Sequence, residues 1–373
     1  MDIATLLQTM VTRHASDMFL SAGAPPTIRV QGEASQLALP ALNAADVHAM
    51  AYSLMNAQQQ REFESTLEMN LGYAMPDVGR FRINVYLQRG TMAIAVRFVP
   101  REIPTVQELN LPAKLLDLIM VPRGLLLVVG ATGSGKTTTL ASMIDHRNRT
   151  RSGHILTIEE PIEFLHSHRK SIVDQREIGV DTLSYASALK NAMRQSPDVI
   201  LIGEIRDLDT MRQALAYAET GHLCLATLHA SNANQAVNRI LNFFSEGERG
   251  QVLVDLSMNL RAVISQRLLN ARDGGRIPAV ELLLQTAHIA DVIEKGALGK
   301  LKEAMAQGSG VGMQTFDDSL YHLFNAGMIS IDEALSNADS RTDLALRIRL
   351  NQGGGMGALS ALQMQTDSAV RLS

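Results

Sequence analysis

The feature that most constrains this chain is a glycine-rich octapeptide, Gly130-Ala-Thr-Gly-Ser-Gly-Lys-Thr137, directly after the apolar run Leu125–Val129. Its glycines allow successive backbone N–H groups to turn toward phosphate oxygens, and the following helix adds its positive N-terminal end. In this pattern Lys136 reaches the β- and γ-phosphates and Thr137 coordinates magnesium. The octapeptide therefore predicts a site for a nucleoside triphosphate and Mg²⁺. The predicted nucleotide-binding residues of the loop are Thr132, Gly133, Ser134, Gly135, Lys136, Thr137 and Thr138.

Buried apolar runs alternate with helical segments around this loop, which predicts an α/β fold with a doubly wound parallel sheet. The runs are Leu125–Val129, Ile155–Ile158, Val199–Ile202 and Leu223–Ala226. Apolar residues from Leu253 to Leu268 then suggest one long amphipathic helix. Asp273-Gly274 is expected to turn the chain into a strand at Ala279–Leu284.

The first 99 residues are predicted to form a small α+β domain. From Gly79 the apolar residues follow a period of two, Arg89-Gly90 makes a turn, and Arg82 and Arg97 lie on the polar face of the resulting hairpin. The predicted domain boundaries are 1–99, a linker at 100–115, a nucleotide-binding α/β domain at 116–285, a helical subdomain at 286–352 and a mobile tail at 353–373. Thr315 is expected to cap a helix in the helical subdomain.

Two groups of carboxylates follow predicted strands. Glu204 ends the apolar strand that begins after Asp198, and such an acid faces magnesium directly or through water in P-loop sheets. Glu159, Glu160 and Glu163 follow the strand Ile155–Ile158 at the sheet edge where ligands bind. One of these three can orient or deprotonate the attacking water, and the residues by themselves leave the choice open.

His222 and His229 stand on either side of the predicted strand Leu223–Thr227. A zinc site is disfavoured because no third nitrogen or sulfur ligand lies nearby in the sequence. We interpret the pair as hydrogen-bonding sensors beside the γ-phosphate. The alternative is that both rings only satisfy hydrogen bonds at strand ends.

Composition narrows the function classes. The 373-residue chain has a net charge of −4 and 4% aromatic residues, which disfavours a basic nucleic-acid binder and a base-stacking single-strand binder. The single cysteine, Cys224, excludes an internal disulfide and a multi-cysteine zinc site. No apolar run approaches the roughly 20 residues that span a bilayer, and the N-terminus lacks a secretory pattern. We therefore expect a cytoplasmic protein with no transmembrane segment.

These motifs together resemble the secretion ATPase superfamily, whose four elements are the Walker A loop, the Asp box, the Walker B strand and the His box. Here they correspond to Gly130–Thr137, Ile158–Phe164, Ser196–Asp207 and Glu219–His229. The resemblance covers nearly the whole chain before the tail. The sequence is similar to the type IV pilus retraction ATPases of the PilT/PilU family, and its segment Gly221–Ala230 is closer to PilU.

The resemblance implies a RecA-like P-loop NTPase core, an N-terminal PAS-like α+β domain, a C-terminal helical region and a homo-hexameric ring. It implies that Glu163 is the catalytic carboxylate, that Glu204 is the Walker B acid, and that Arg82 and Arg97 add positive charge at the nucleotide. The implied activity is ATP hydrolysis that drives pilus retraction and twitching motility, as a PilU-like accessory motor. The implied partners are a second retraction ATPase and an inner-membrane pilus platform protein, at the inner face of the cytoplasmic membrane.

The sequence departs from the family pattern in two places. All acidic residues of the Asp box are glutamates. Retraction motors often carry a C-terminal helical motif that contains an arginine, and here His288–Glu294 stands in its place without one. Three other functions are compatible with a P-loop chain but would be expected to carry different sequence features. A pilus-assembly or type II secretion ATPase commonly holds a zinc ion with four cysteines. A nucleic-acid-dependent RecA-like motor would be expected to have a more basic chain. A nucleotide-gated ring subunit that hydrolyses little ATP would not need the full set of acidic residues.

Overall fold

The computed structural model describes residues 2–30, 32–76, 78–99 and 102–351. The predicted tail at 353–373 lies outside the described residues. The described residues group into two compact units: those within Met1–Thr105 and Ala141–Gly203 form the first unit, and those within Val106–Leu140 and from Glu204 to residue 351 form the second unit. The predicted domain boundaries stay a prediction.

The described part of the chain contains both strands and helices. The strands are β1 Asp17–Ser21, β2 Thr27–Val30, β3 Glu33–Gln36, β4 Glu68–Met75, β5 Gly79–Gln88, β6 Thr91–Val99, β7 Gly124–Gly130, β8 Gly153–Glu159, β9 Ser171–Glu177, β10 Val199–Ile202, β11 Leu223–Leu228, β12 Leu260–Asn270 and β13 Arg276–Leu284. The α-helices are α1 Ile3–Thr12, α2 Ala44–Leu54, α3 Ala57–Thr66, α4 Lys114–Leu118, α5 Lys136–Thr150, α6 Tyr185–Ala192, α7 Leu208–Glu219, α8 Ala233–Phe243, α9 Arg249–Asn259, α10 Ala287–Glu294, α11 Leu301–Gln307, α12 Phe316–Asn325, α13 Ile331–Ser336 and α14 Arg341–Asn351.

The first unit contains an antiparallel sheet in the order β3-β2-β1-β6-β5-β4. On β5 the side chains of Phe81, Ile83 and Val85 are buried and the residues between them are partly exposed, as the period of two predicted. These side chains share one apolar core with residues of α1, α2 and α3. The same unit holds the parallel strands β10, β8 and β9 in that order.

The second unit contains the strands β13-β12-β7-β11 in that order. Strand β7 pairs in parallel with β11 and with β12, and every residue of β7 is buried. A strand buried on both faces has no polar side to show, so it appears in sequence as a continuous apolar run. The predicted α/β class, with parallel strands and intervening helices, is confirmed.

The prediction of one long helix from Leu253 to Leu268 is wrong. Helix α9 ends at Asn259, and β12 begins at Leu260 and forms an antiparallel hairpin with β13. Because the middle of β12 is buried on both faces, its apolar residues do not alternate and imitate a helical pattern. The turn expected at Asp273-Gly274 does close this hairpin.

The last described helices pack on the outer end of this hairpin. Phe316, Leu320 and Ile348 form one apolar core with Leu269 and Ile277 of β12 and β13. The predicted cap of α12 is present. Thr315 Oγ1 accepts the backbone N–H of Asp318, and the Asp318 carboxylate accepts the N–H of Thr315.

Candidate functional site

The glycine-rich loop connects the buried strand β7 to helix α5. Gly133 and Gly135 have φ angles of 76° and 91°, in the left-handed region that favours glycine, and they turn the backbone back on itself. The Lys136 ammonium donates to the carbonyl oxygens of Gly130 at 3.0 Å and Ala131 at 2.9 Å. The lysine therefore lies along the loop, where its positive charge adds to the amides and the N-terminal end of α5.

This donor set fits a nucleotide phosphate. The loop offers an ammonium group, backbone N–H groups and the hydroxyls of Thr137 and Thr138, and it presents no carboxylate of its own. Among the described residues, no three His, Cys, Asp or Glu side chains lie close enough together to hold a metal ion. A magnesium ion would therefore depend on Thr137, Glu204, water and the phosphates themselves.

Glu204 and His229, both predicted site residues, are in contact. Glu204 Oε1 lies 2.9 Å from His229 Nε2, and Glu204 Oε2 accepts from Arg206 Nε at 2.8 Å. The Glu204 side chain is 17% exposed, whereas His229 is 41% exposed. His229 directly follows Leu228, which is paired with Val129 at the end of β7. The Glu204–His229 pair therefore lies at the same end of the parallel strands as the glycine-rich loop.

His222, the other histidine of the predicted pair, lies away from the glycine-rich loop of the same chain. It precedes β11, and its carbonyl accepts the N–H of Gly124 at the start of β7. Its ring contacts Thr220 Oγ1 at 3.3 Å and the edge of Tyr217. The six residues of β11 separate His222 from His229, which is roughly 20 Å at the rise of a strand. Within the chain, His222 thus lies at the opposite end of the strand from the phosphate-binding loop.

Two anchors of this region were missed by the sequence reasoning. Gln266 Nε2 donates to Thr139 Oγ1 at 2.8 Å, which ties the first turn of α5 to β12. Glu281 Oε1 accepts from the N–H of Ala233 at 2.8 Å and from Ser265 Oγ at 2.9 Å, which holds the start of α8 after the His229 loop. Burial raises the pKa of Glu281. The sequence does not reveal the Gln266 contact, because it places Gln266 in a predicted helix.

The three candidate glutamates occupy different environments in the first unit. Glu159 is 7% exposed and accepts from Thr157 Oγ1 at 2.6 Å and Gln175 Nε2 at 3.2 Å. Burial raises its pKa to about 7. Glu160 and Glu163 are exposed, and Glu163 Oε1 lies 3.9 Å from Arg82 Nη1. Since water has little access to Glu159, the exposed Glu163 is better placed to meet a ligand.

The two predicted arginines of the hairpin both have carboxylate neighbours. Arg82 pairs with Glu163, and burial lowers the pKa of Arg82. Arg97 is 61% exposed, and its Nε donates to Asp17 Oδ1 at 2.8 Å. Arg82, Arg97, Asp17 and Glu160 line one cavity of about 750 Å³ in the first unit.

None of the described helices is long and apolar enough to cross a membrane.

Comparison with known proteins gives one family and several relatives. The family described as type II/IV secretion system protein matches residues 81–304. The type IV pilus ATPase PilU of Pseudomonas aeruginosa is 46% identical over 363 residues, which are 97% of this chain and 95% of that protein. The type IV pilus retraction ATPase PilT of the same organism is 43% identical over 91% of this chain and 98% of its own length.

Solved structures give the same result for the fold. The crystal structure of the pilus retraction motor PilT with bound ADP has a TM-score of 0.87 and 42% identity, over 92% of this chain and 98% of that one. The ATPase DotB of Legionella pneumophila has a TM-score of 0.77 and 28% identity, over 88% of this chain and 92% of that one.

Proposed function

Since this chain belongs to the type II/IV secretion system protein family, among the relatives of PilU and PilT, we propose that it hydrolyses ATP to drive the retraction of type IV pili. The observation that carries this proposal is the phosphate-binding loop with Lys136 in one unit with the Glu204–His229 pair. The greater identity with PilU, over nearly the whole length of both proteins, supports an accessory retraction role.

The proposed roles follow from the environment of each side chain. Lys136 neutralises phosphate charge, and Thr137 and Glu204 hold Mg²⁺, which offsets charge on the phosphates when it is bound. Glu163 orients or deprotonates the attacking water. His229, through its contact with Glu204, responds to the γ-phosphate. Arg82 and Arg97 contribute positive charge near the transferred phosphoryl group.

The proposal extends to assembly and location. We propose a homo-hexamer, because the movement of a filament requires ATP-driven changes in neighbouring subunits to be coupled. The proposed partners are a second retraction ATPase and a pilus platform protein at the inner face of the cytoplasmic membrane. The predicted domain boundaries, from the N-terminal domain at 1–99 to the helical subdomain at 286–352, are part of the same proposal.

The direct test measures phosphate release and oligomer mass on the same purified chain. We expect Mg²⁺-dependent ATP hydrolysis in the fraction whose mass is that of a hexamer. ATP binding without turnover would instead favour a nucleotide-gated ring subunit. Strong stimulation by DNA would favour a nucleic-acid motor.

A further inference from the structure

Glu177, the last residue of β9, is a buried carboxylate that neither the motifs nor the proposed reaction uses. It is 5% exposed. Its Oε2 atom accepts from Arg80 Nη2 at 2.9 Å and from the backbone N–H of Ile162 at 3.2 Å. Ile162 directly precedes Glu163, so this carboxylate holds the loop that carries the proposed catalytic residue.

The Arg80 side chain is mostly buried against the neighbouring strand β4. It is only 16% exposed, and its Nε atom is buried without a hydrogen-bond partner in the described part of the chain. The neighbouring strand β4 has a glycine at position 72, where a Cβ atom would lie 2.5 Å from Arg80 Nη2. The absence of a side chain at Gly72 thus makes room for the guanidinium group next to Glu177.

Strand β5 therefore contacts the Glu163 loop through two arginines. Arg80 and Arg82 are two residues apart and so project from the same face of the strand. Arg82 makes a longer and more exposed contact, 3.9 Å from Glu163 itself. Arg80 makes the shorter and more buried contact, through Glu177 and the Ile162 amide. A buried ion pair loses much when one partner is removed, because the other charge is left uncompensated.

We propose that Arg80 and Glu177 are positioning residues for hydrolysis, which hold the Ile162–Glu163 backbone in place and link it to β5. This inference rests on the proposed function, in which Glu163 acts on the attacking water. A misplacement of about 1 Å in a reacting group can cost on the order of 100-fold in rate, so a loosened loop affects turnover more than ATP binding.

The test compares three variants of the full-length chain: Arg80→Met, Glu177→Met and Glu177→Gln. Methionine removes the charge and the hydrogen bonds while it fills similar volume. Glutamine keeps an oxygen that can accept from the Ile162 amide. The control is Arg347→Met, which breaks the Arg347–Asp318 pair of 2.6 Å in the second unit, far along the chain from this loop. Melting temperature and oligomer mass are measured for every variant.

We expect both methionine variants to lower kcat by about 10-fold or more while KM for ATP stays within about 2-fold. Glu177→Gln should keep a higher kcat than Glu177→Met, because its amide oxygen can still accept from the Ile162 N–H, and the control should match the parent. Hydrogen exchange of the peptide around Ile162 should become faster in Glu177→Met. If Glu177→Met does not fold, Arg80→Met tests the positioning role by itself, and its kcat should still fall by about 10-fold or more while KM stays within about 2-fold.

A parental kcat in Arg80→Met overturns the inference, as does a loss of kcat that is matched by an equal rise in KM. Glu163→Gln separates this result from the fate of the proposed function. If Glu163→Gln is inactive while Arg80→Met and Glu177→Met are fully active, only the positioning role fails. If Glu163→Gln hydrolyses ATP at the parental rate, the proposed role of Glu163 itself fails.

Discussion

Lys136 is the side chain on which the nucleotide site depends most directly. It is the half-buried first residue of α5, and its ammonium donates to the loop carbonyls of Gly130 and Ala131. We therefore expect Lys136→Ala to abolish ATP hydrolysis and to leave the melting temperature close to that of the parent. Phosphate release and thermal unfolding measure the two effects. Hydrolysis near the parental rate would show that the loop does not serve the phosphates.

Glu163 and Glu204 are expected to fail in different ways when each is replaced by glutamine. Glutamine keeps the size of the side chain but cannot act as a base or supply charge to a cation. Glu163→Gln should bind Mg-ATP normally and lose about 100-fold or more in kcat. Glu204→Gln should need more Mg²⁺ for half-maximal activity. Titration of ATP and of Mg²⁺ separates the two, and normal turnover in both variants would contradict the roles.

Glu159 gives a prediction about pH and stability. Burial raises the pKa of Glu159 from 4.5 to about 7. Between these two pH values the carboxyl is mostly protonated in the folded chain and mostly ionised in the unfolded chain. The free energy of unfolding should therefore fall as the pH rises from 4.5 to 7. Glu159→Gln removes this loss of stability, which is on the order of 3 kcal/mol. Urea unfolding should show Glu159→Gln gaining stability over the parent at pH 8 but not at pH 4, and an equal difference at both values would contradict the assignment.

The residues found from sequence differ from those found only in the structure by how near their partners lie. Lys136 acts within an octapeptide, and Glu204 ends a recognisable strand, so both could be predicted. Gln266 meets Thr139, which is 127 residues away, and Arg80 meets Glu177, which is 97 residues away. No local pattern marks such a contact. His222 and His229 lie at opposite ends of β11, and within the chain only His229 is at the end that carries the glycine-rich loop. The role predicted for His222 stays a prediction.

At the scale of the element, β12 shows the limit of periodicity. Strand β5 alternates in burial over most of its length because only one face of its sheet meets the core, so this strand was predictable. Strand β12 lies between β7 and β13 and is buried on both faces, so its residues carry no period of two. Local sequence cannot separate such a strand from a buried helix, and the neighbouring strands decide.

Helix α12 offers an element whose start was predicted and can be tested. Thr315 is 6% exposed, and its hydroxyl accepts the N–H of Asp318 at the first turn. Thr315→Ala should lower the free energy of unfolding by about 1 kcal/mol, because the helix loses its N-cap. Thr315→Ser keeps the hydroxyl and is the matched control. Equal losses in urea for both variants would assign the effect to the missing methyl group instead of the cap.

At the scale of the whole molecule, the predicted family is confirmed by relatives that match this chain over nearly all of its length. The same comparison supports the PilU-like role, since identity with PilU is 46% and with PilT 43%. A difference this small makes the cellular phenotype the stronger criterion. An accessory retraction motor and a pilus-assembly motor share the same chemistry, and only the direction in which the filament changes length distinguishes them.

Deletion of the gene for this chain should therefore leave surface pili in place and reduce retraction force or the spread of twitching. Pili persist because assembly depends on a separate motor, and force falls because one source of ATP-driven retraction is removed. A Lys136→Ala allele should reproduce the deletion if hydrolysis is needed, whereas an Arg347→Met allele should restore the parent phenotype. Retraction force and twitching zones are measured in all four strains. Loss of surface pili would assign the chain to assembly, and unchanged pilus dynamics with a secretion defect would assign it to a secretion machine.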